Sequence, residues 1–195
     1  MNNKKIILAS ASPRRNQLLQ MLGLDFKAVK PQIDEEFHTC LSVDENLYNI
    51  TKSKALYVKE NNNLANCIII SADTIVLLEH KILTKPADTS DAFNMLKSLS
   101  GNWHEVVTGV YVTDADTCKQ IYKSKTTKVK FRNLTDDEIK SYISTGEADD
   151  KAGSYGIQGL GSIFVESIEG CYYNVVGLPL VLLETMLKHF NISIL

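Results

Sequence analysis

Six consecutive residues, Ser10-Ala11-Ser12-Pro13-Arg14-Arg15, carry the first chemistry legible in this chain. They follow the apolar run Ile6-Ile7-Leu8-Ala9, so Ser10 falls in the turn between a predicted strand and a predicted helix. The free N–H groups and the dipole of such a helix mouth favour an anion. Arg14 and Arg15 in the first turn oppose that dipole, and a bound oxyanion or phosphate would offset them. Pairing of both with surface carboxylates is the plainer alternative. No GxxxxGK(S/T) occurs, so a phosphate site here is not a P-loop. Asp73 stands just beyond the apolar run Ile68-Ile69-Ile70, where the carboxyl end of a strand gathers ligands in α/β sheets. It can hold a divalent metal, activate a water, or merely cap a turn. Glu35, in Asp34-Glu35-Glu36, is a second metal ligand or part of a solvated acidic loop. Lys54 and Lys85 offer point charges for phosphates, although most lysines are simply solvated.

A third region runs from Asp150 to Gly161 and contains four of the chain's 10 glycines, which demands special backbone angles or close backbone approach. Gln158 is its polar side chain best placed to meet something bound there, and a structural Ω-loop is the alternative reading. It is not a dinucleotide fingerprint, because no acidic ribose ligand follows at the proper distance. His38, His80, His104 and His189 form no HExxH, and no GxSxG elbow is present, which argues against zinc and serine hydrolases. Cys40, Cys67, Cys118 and Cys171 have no metal-like spacing and read as free thiols in a reducing cytosol. Trp103 reads as a core or lobe-packing residue rather than a base-stacking platform, and the lysines between Lys119 and Lys130 as a solvated face.

The elements that must hold these groups alternate. Ser12 and Pro13 open a helix that buries Leu18, Leu19 and Leu22 and ends at Gly23. Phe26 to Val29 predicts a strand, Lys30 to Ser42 a loop, and Asp44 caps a helix through about Glu60. Cys67 to Ile70 and Ile75 to Leu78 read as strands separated by a break at Ala72-Asp73-Thr74, with a hairpin tip at Glu79-His80-Lys81. A helix over Ser90 to Ser100 stops at Gly101. Val106 to Thr113 and Lys119 to Phe131 predict a long β-ribbon turning at Asp114-Ala115-Asp116. Thr135 and Glu138 have capping-box spacing. Ile163 to Ile168 and Cys171 to Val176 read as paired strands, and Leu178 to Phe190 as a closing helix.

This interleaving predicts an α/β fold with one antiparallel ribbon added. A 44% hydrophobic share over 195 residues can fill a core, which excludes disorder and favours one domain, or two lobes sharing one core. The net charge of -2 speaks against a general nucleic-acid binder. No apolar stretch approaches a membrane span, and the polar start Met1-Asn2-Asn3-Lys4-Lys5 is not a signal peptide, so a cytoplasmic protein is expected.

Taken together, Ser10-Ala11-Ser12-Pro13-Arg14-Arg15, Ala72-Asp73-Thr74, Lys85-Pro86, Asp150 to Gly159 and Val176-Gly177-Leu178-Pro179-Leu180 resemble the Maf family of nucleoside triphosphate pyrophosphatases. The resemblance spans Leu8 to Leu180. It implies an α/β fold related to the inosine-triphosphate pyrophosphatases: a mixed twisted sheet with an extended ribbon and flanking helices, in two lobes around a cleft. It also implies a cytoplasmic homodimer dependent on a divalent metal, Mg²⁺ or Mn²⁺. Thr74 and Tyr155-Gly156-Ile157-Gln158-Gly159 are similar to the branch acting on dTTP and UTP rather than on 7-methyl-GTP. Lys130, expected on the exposed face of the ribbon, departs from the Thr frequent in that branch. By resemblance, Arg14, Arg15 and Ser10 clamp the triphosphate, and Glu35 and Asp73 bind metal and activate water. Lys54 and Lys85 bind phosphate, and Gln158 serves as the cleft glutamine. Pyrophosphatases for GTP, ITP or 7-methyl-GTP, and a non-catalytic nucleotide-binding regulator of cell division, remain the competing expectations.

Overall fold

The computed structural model describes residues 4–117 and 119–195. The polar start Met1-Asn2-Asn3 and the Cys118 thiol lie outside them. Elements follow in the order β1 (Lys5–Ala9), α1 (Pro13–Met21), β2 (Phe26–Val29), α2 (Val43–Asn61), β3 (Cys67–Leu78), β4 (Lys81–Leu83) and α3 (Thr89–Leu99). The second half continues with β5 (Trp103–Asp114), β6 (Gln120–Phe131), α4 (Asp136–Ile143), β7 (Val165–Glu169), α5 (Tyr172–Val176) and α6 (Leu180–Lys188). The strands pair in the order β2-β1-β3-β5-β6-β7, with β4 on β3. No helix among the described residues is long and apolar enough to cross a membrane. The chain divides into two compact units, the first comprising Met1–Asp73, Thr108–Lys125 and Gly177–Leu195 and the second Thr74–Val107 and Thr126–Val176.

In the first unit β1 runs parallel to both neighbours, with Ile6 opposite Phe26 on one side and Ile68 on the other. Ile6 to Ala9 and Cys67 to Ile70 are all buried, as expected of parallel strands covered on both faces. Ile7, Ala9, Ile69 and Tyr111 pack against Ala55 and Val58 of α2. Ser12 caps α1 as expected, and Gly23, at φ +67, closes it by donating to the Gln20 carbonyl at 2.9 Å. The cap of α2 is Ser42 rather than Asp44. Its hydroxyl accepts from the Glu45 N–H while Glu45 reaches back to the Ser42 N–H, satisfying two helix-end donors at once.

The predicted break at Ala72-Asp73-Thr74 is absent, and β3 is continuous for 12 residues. Aspartate is a poor strand former, but an interior one is tolerated where its charge is answered. Lys54 answers Asp73, and the neighbouring Ser71 hydroxyl donates to the Thr51 carbonyl at 2.6 Å.

In the second unit β3 turns into β4 at Glu79-His80, with Glu79 at φ +55. Asp88 caps α3, and Thr135 and Glu138 form the expected capping box on α4. The strand expected from Ile163 starts at Val165, because Leu160–Phe164 coils as a 3-10 segment. Its partner is β6, with Val129 opposite Ile168. Cys171 to Val176 is therefore no strand: Tyr172–Val176 forms helix α5. Asn174 decides this, because its buried amide donates to the Val106 carbonyl at 2.9 Å and to the Thr127 hydroxyl at 3.0 Å. Those bonds outweigh the strand preference of Tyr and Val. Trp103, expected to pack inside, is exposed. Lys130 is half-buried rather than exposed, its ammonium donating to the Gly101 carbonyl at 2.5 Å.

Candidate active site

Lys54 is the centre of the first unit's charged cluster. It rides on the buried face of α2, and only 5% of its side chain is exposed. Its Nζ lies 2.5 Å from Asp73 Oδ1 and 2.8 Å from Glu35 Oε1. Asp73 is held inside β3, not at a strand's carboxyl end, and is buried; Glu35 reaches in from the exposed loop before α2. An ammonium stripped of water costs several kcal/mol unless countercharges replace the lost hydration, and two carboxylates do so here.

The mouth of α1 belongs to the same unit. Ser10 is buried, and its hydroxyl accepts from the Ser12 N–H at 3.1 Å and from Arg15 Nη1 at 3.5 Å. Arg15 Nε donates to the Gly177 carbonyl at 2.8 Å, which orients the guanidinium. Burial pulls the Arg15 pKa downward; the charges of Asp73 and Glu35 oppose that pull, and repulsion from Arg14 adds to it. No acidic residue occupies the first turn of α1. Ser10, Arg14, Arg15, Glu35, Lys54 and Asp73 thus share one electrostatic neighbourhood. Gly177 has only its place in Val176-Gly177-Leu178-Pro179 to mark it, since a backbone carbonyl leaves no side-chain signature.

Thr74, Lys85 and Gln158 fall in the second unit. Thr74 continues β3 and is half-buried, Lys85 follows β4 and is exposed, and Gln158 is exposed on the glycine-rich segment. Tyr155, within that segment, is buried against His104, whose Nε2 shares a 2.7 Å hydrogen bond with the tyrosine hydroxyl. Phe131 packs edge-on to both rings. Burial pushes the His104 pKa down to about 4 and the Tyr155 phenol well up, so both are neutral at pH 7. His104 does not stand out in the sequence, because a lone histidine carries no spacing signal, whereas Tyr155 opens the Tyr155-Gly156-Ile157-Gln158-Gly159 run.

The family model for Maf-like proteins matches residues 5–190. The chain belongs to the Maf family. A relative from Acetivibrio thermocellus, a dTTP/UTP pyrophosphatase, is 46% identical over 196 residues, covering 98% of each chain. Another dTTP/UTP pyrophosphatase, from Clostridium botulinum strain Eklund 17B, is 52% identical over 187 residues, covering 94% of this chain and 98% of its own. The solved Ham1 protein of Staphylococcus aureus shares the fold, with a TM-score of 0.50 at 14% identity over 83% of this chain and 80% of that one.

Among the described residues no group of three or more His, Cys, Asp or Glu side chains gathers as a metal cage. The oxygen pair of Glu35 and Asp73 nevertheless converges on one cationic atom, Lys54 Nζ. One or two carboxylates, completed by phosphate oxygens and water, is the donor set that suits Mg²⁺.

Proposed function

We propose that this Maf-family chain is a nucleoside triphosphate pyrophosphatase that hydrolyses dTTP and UTP to the monophosphate and pyrophosphate. The observation that carries the reading is the Glu35–Lys54–Asp73 cluster beside Arg15, in a chain 46% identical to a dTTP/UTP pyrophosphatase across nearly its whole length. Arg14 and Arg15 grip the triphosphate at the mouth of α1, where the dipole and the guanidinium fork both favour phosphate oxygens. Ser10 and the Gly177 carbonyl hold Arg15 in place. A carboxylate of the Asp73–Glu35 pair takes the proton from the attacking water. The new bond forms at the α-phosphorus, the bond to the bridging oxygen breaks, and pyrophosphate leaves. Lys54 keeps the two carboxylates together, and Lys85 neutralises charge on the departing phosphates. A divalent cation, Mg²⁺ or Mn²⁺, would be held by Glu35 and Asp73 and supplies Lewis-acid neutralisation of phosphate oxygens.

Substrate choice is assigned to Thr74, Gln158 and the backbone of the glycine-rich segment. Uracil and thymine present an N3–H donor between two carbonyls; cytosine presents an acceptor and an amino group instead. A site matched to the first pattern leaves groups unpaired with cytosine, at about 1–3 kcal/mol each. One domain carrying both units, a homodimer and a cytoplasmic location complete the reading.

The test is steady-state kinetics on separate triphosphates with Mg²⁺, measuring released pyrophosphate. Comparable kcat/KM for dTTP and UTP, both above CTP and the purines, is expected. A clear preference for GTP, ITP or 7-methyl-GTP overturns the assignment, and absence of turnover on every nucleotide leaves the non-catalytic binder.

A further inference from the structure

Two side chains outside the proposed machinery hold the glycine-rich segment of the second unit from below. Glu147 lies just past Gly146, after the end of α4. Its Oε2 accepts from the Leu160 N–H at 2.9 Å, and its Oε1 accepts from the Gly161 N–H at 3.1 Å and from the Tyr142 hydroxyl at 3.0 Å. The same Tyr142 oxygen accepts from the Gly156 N–H at 3.3 Å. One carboxylate and one phenol therefore tie down residues 156, 160 and 161, and exposed Gln158 sits between the tied points.

Packing reinforces the ties. Gly159 has φ +80, and a Cβ there would fall 2.7 Å from Glu147 Oε2. At Gly161 a Cβ would fall 2.5 Å from the Gly156 carbonyl and 3.0 Å from the Tyr142 hydroxyl. The glycines thus allow the main chain to close onto Glu147 and Tyr142, a role the sequence leaves open between ligand contact and loop structure. Three donors converge on the two carboxylate oxygens. An acceptor-only group meets that demand and an amide cannot, because its NH₂ would face another N–H. Burial would raise the Glu147 pKa, but the Gly161 and Leu160 N–H bonds and the Tyr142 hydroxyl hold it below the ordinary carboxylate value.

We infer that Glu147, acting with Tyr142, is a positioning residue for nucleotide choice: it sets the geometry of segment 156–161 without touching the nucleotide. This rests on the proposal that the segment recognises the base.

The test uses the full chain with Glu147→Gln, Tyr142→Phe and the double substitution. Kinetics with UTP and CTP is combined with native-state amide exchange across residues 156–161. Glu147→Gln is expected to lower the UTP-to-CTP ratio of kcat/KM about tenfold, the size of one misplaced polar contact. The loss should fall on KM for UTP, with kcat changed less than about threefold, while the Gly156, Leu160 and Gly161 amides exchange faster. Tyr142→Phe should act in the same direction. The double substitution should cost less than the product of the two, since both act on one network. An unchanged ratio with unchanged exchange overturns the inference, as does an equal loss for UTP and CTP carried by kcat. If Glu147→Gln fails to fold, Tyr142→Phe decides by the same readouts. A wild-type chain without preference for UTP overturns the recognition reading instead, and amide exchange then decides whether Glu147 holds the segment.

Discussion

Lys54 in the first unit and His104 in the second are almost equally buried, at 4% and 2% exposure, yet they meet burial in opposite ways. Lys54 lies within ion-pair distance of two carboxylates. His104 faces the Tyr155 hydroxyl and two aromatic rings, its Nδ1 has no hydrogen-bond partner among the described residues, and burial holds its pKa at about 4. A buried ionisable group keeps its charge only where countercharge replaces water; elsewhere it becomes neutral. The first unit accordingly concentrates charge at the cluster proposed for phosphate chemistry. The second keeps buried His104 and Tyr155 neutral, while the Glu147 carboxylate and the Tyr142 hydroxyl fix the segment that carries Gln158.

Removing the countercharge balance should give the largest effect. Lys54→Met removes the ammonium that bridges buried Asp73 and Glu35, and about 3–5 kcal/mol of stability should be lost, toward the lower end because Glu35 is partly solvated and Arg15 still acts on both carboxylates. Urea denaturation measures it, and a wild-type midpoint would break the contrast with His104 from the charged side.

The neutral side is tested by acid. Unfolded histidine takes up its proton near pH 6.5, whereas folded His104 does so only near pH 4, so the unfolded state binds more protons between these values. Stability should therefore fall as pH drops from 6.5 to 4, by about 3 kcal/mol from this residue. The difference between wild type and His104→Gln isolates that contribution, since exposed His38, His80 and His189 are common to both. Parallel stability-versus-pH curves for the two proteins would show that His104 is not held neutral.

Two smaller effects sharpen the first unit's role. Asp73→Asn keeps an acceptor for Lys54 but removes a charge, so kcat should drop roughly 10²-fold while the fold persists. Near-normal turnover would move the chemistry away from this cluster. Arg15→Lys retains the charge but loses the fork that spans Ser10 and Gly177, and kcat/KM should fall about tenfold. Unchanged kcat/KM there would place the triphosphate elsewhere.

Local rules make much of this molecule legible in its sequence. Ser12 and Pro13 starting α1, Thr135 and Glu138 capping α4 and the turn at Glu79-His80 all depend on residues within a few positions of one another. The clustered motifs likewise mark Ser10, Arg14, Arg15 and Asp73 as chemically suspect, because their types are unusual for their positions. Contacts between distant residues decide the rest. Lys54 is 19 positions from Asp73, and their pairing answers a charge buried inside a continuous β3. Asn174 is 68 positions from Val106, and that bond turns a strand-like sequence into α5. Glu147 gains the Leu160 and Gly161 donors only after the glycine-rich segment folds back over it. Propensity and spacing are properties of neighbours along the chain, whereas the cost of burying a charge or a polar group is set by whichever distant partner the fold delivers.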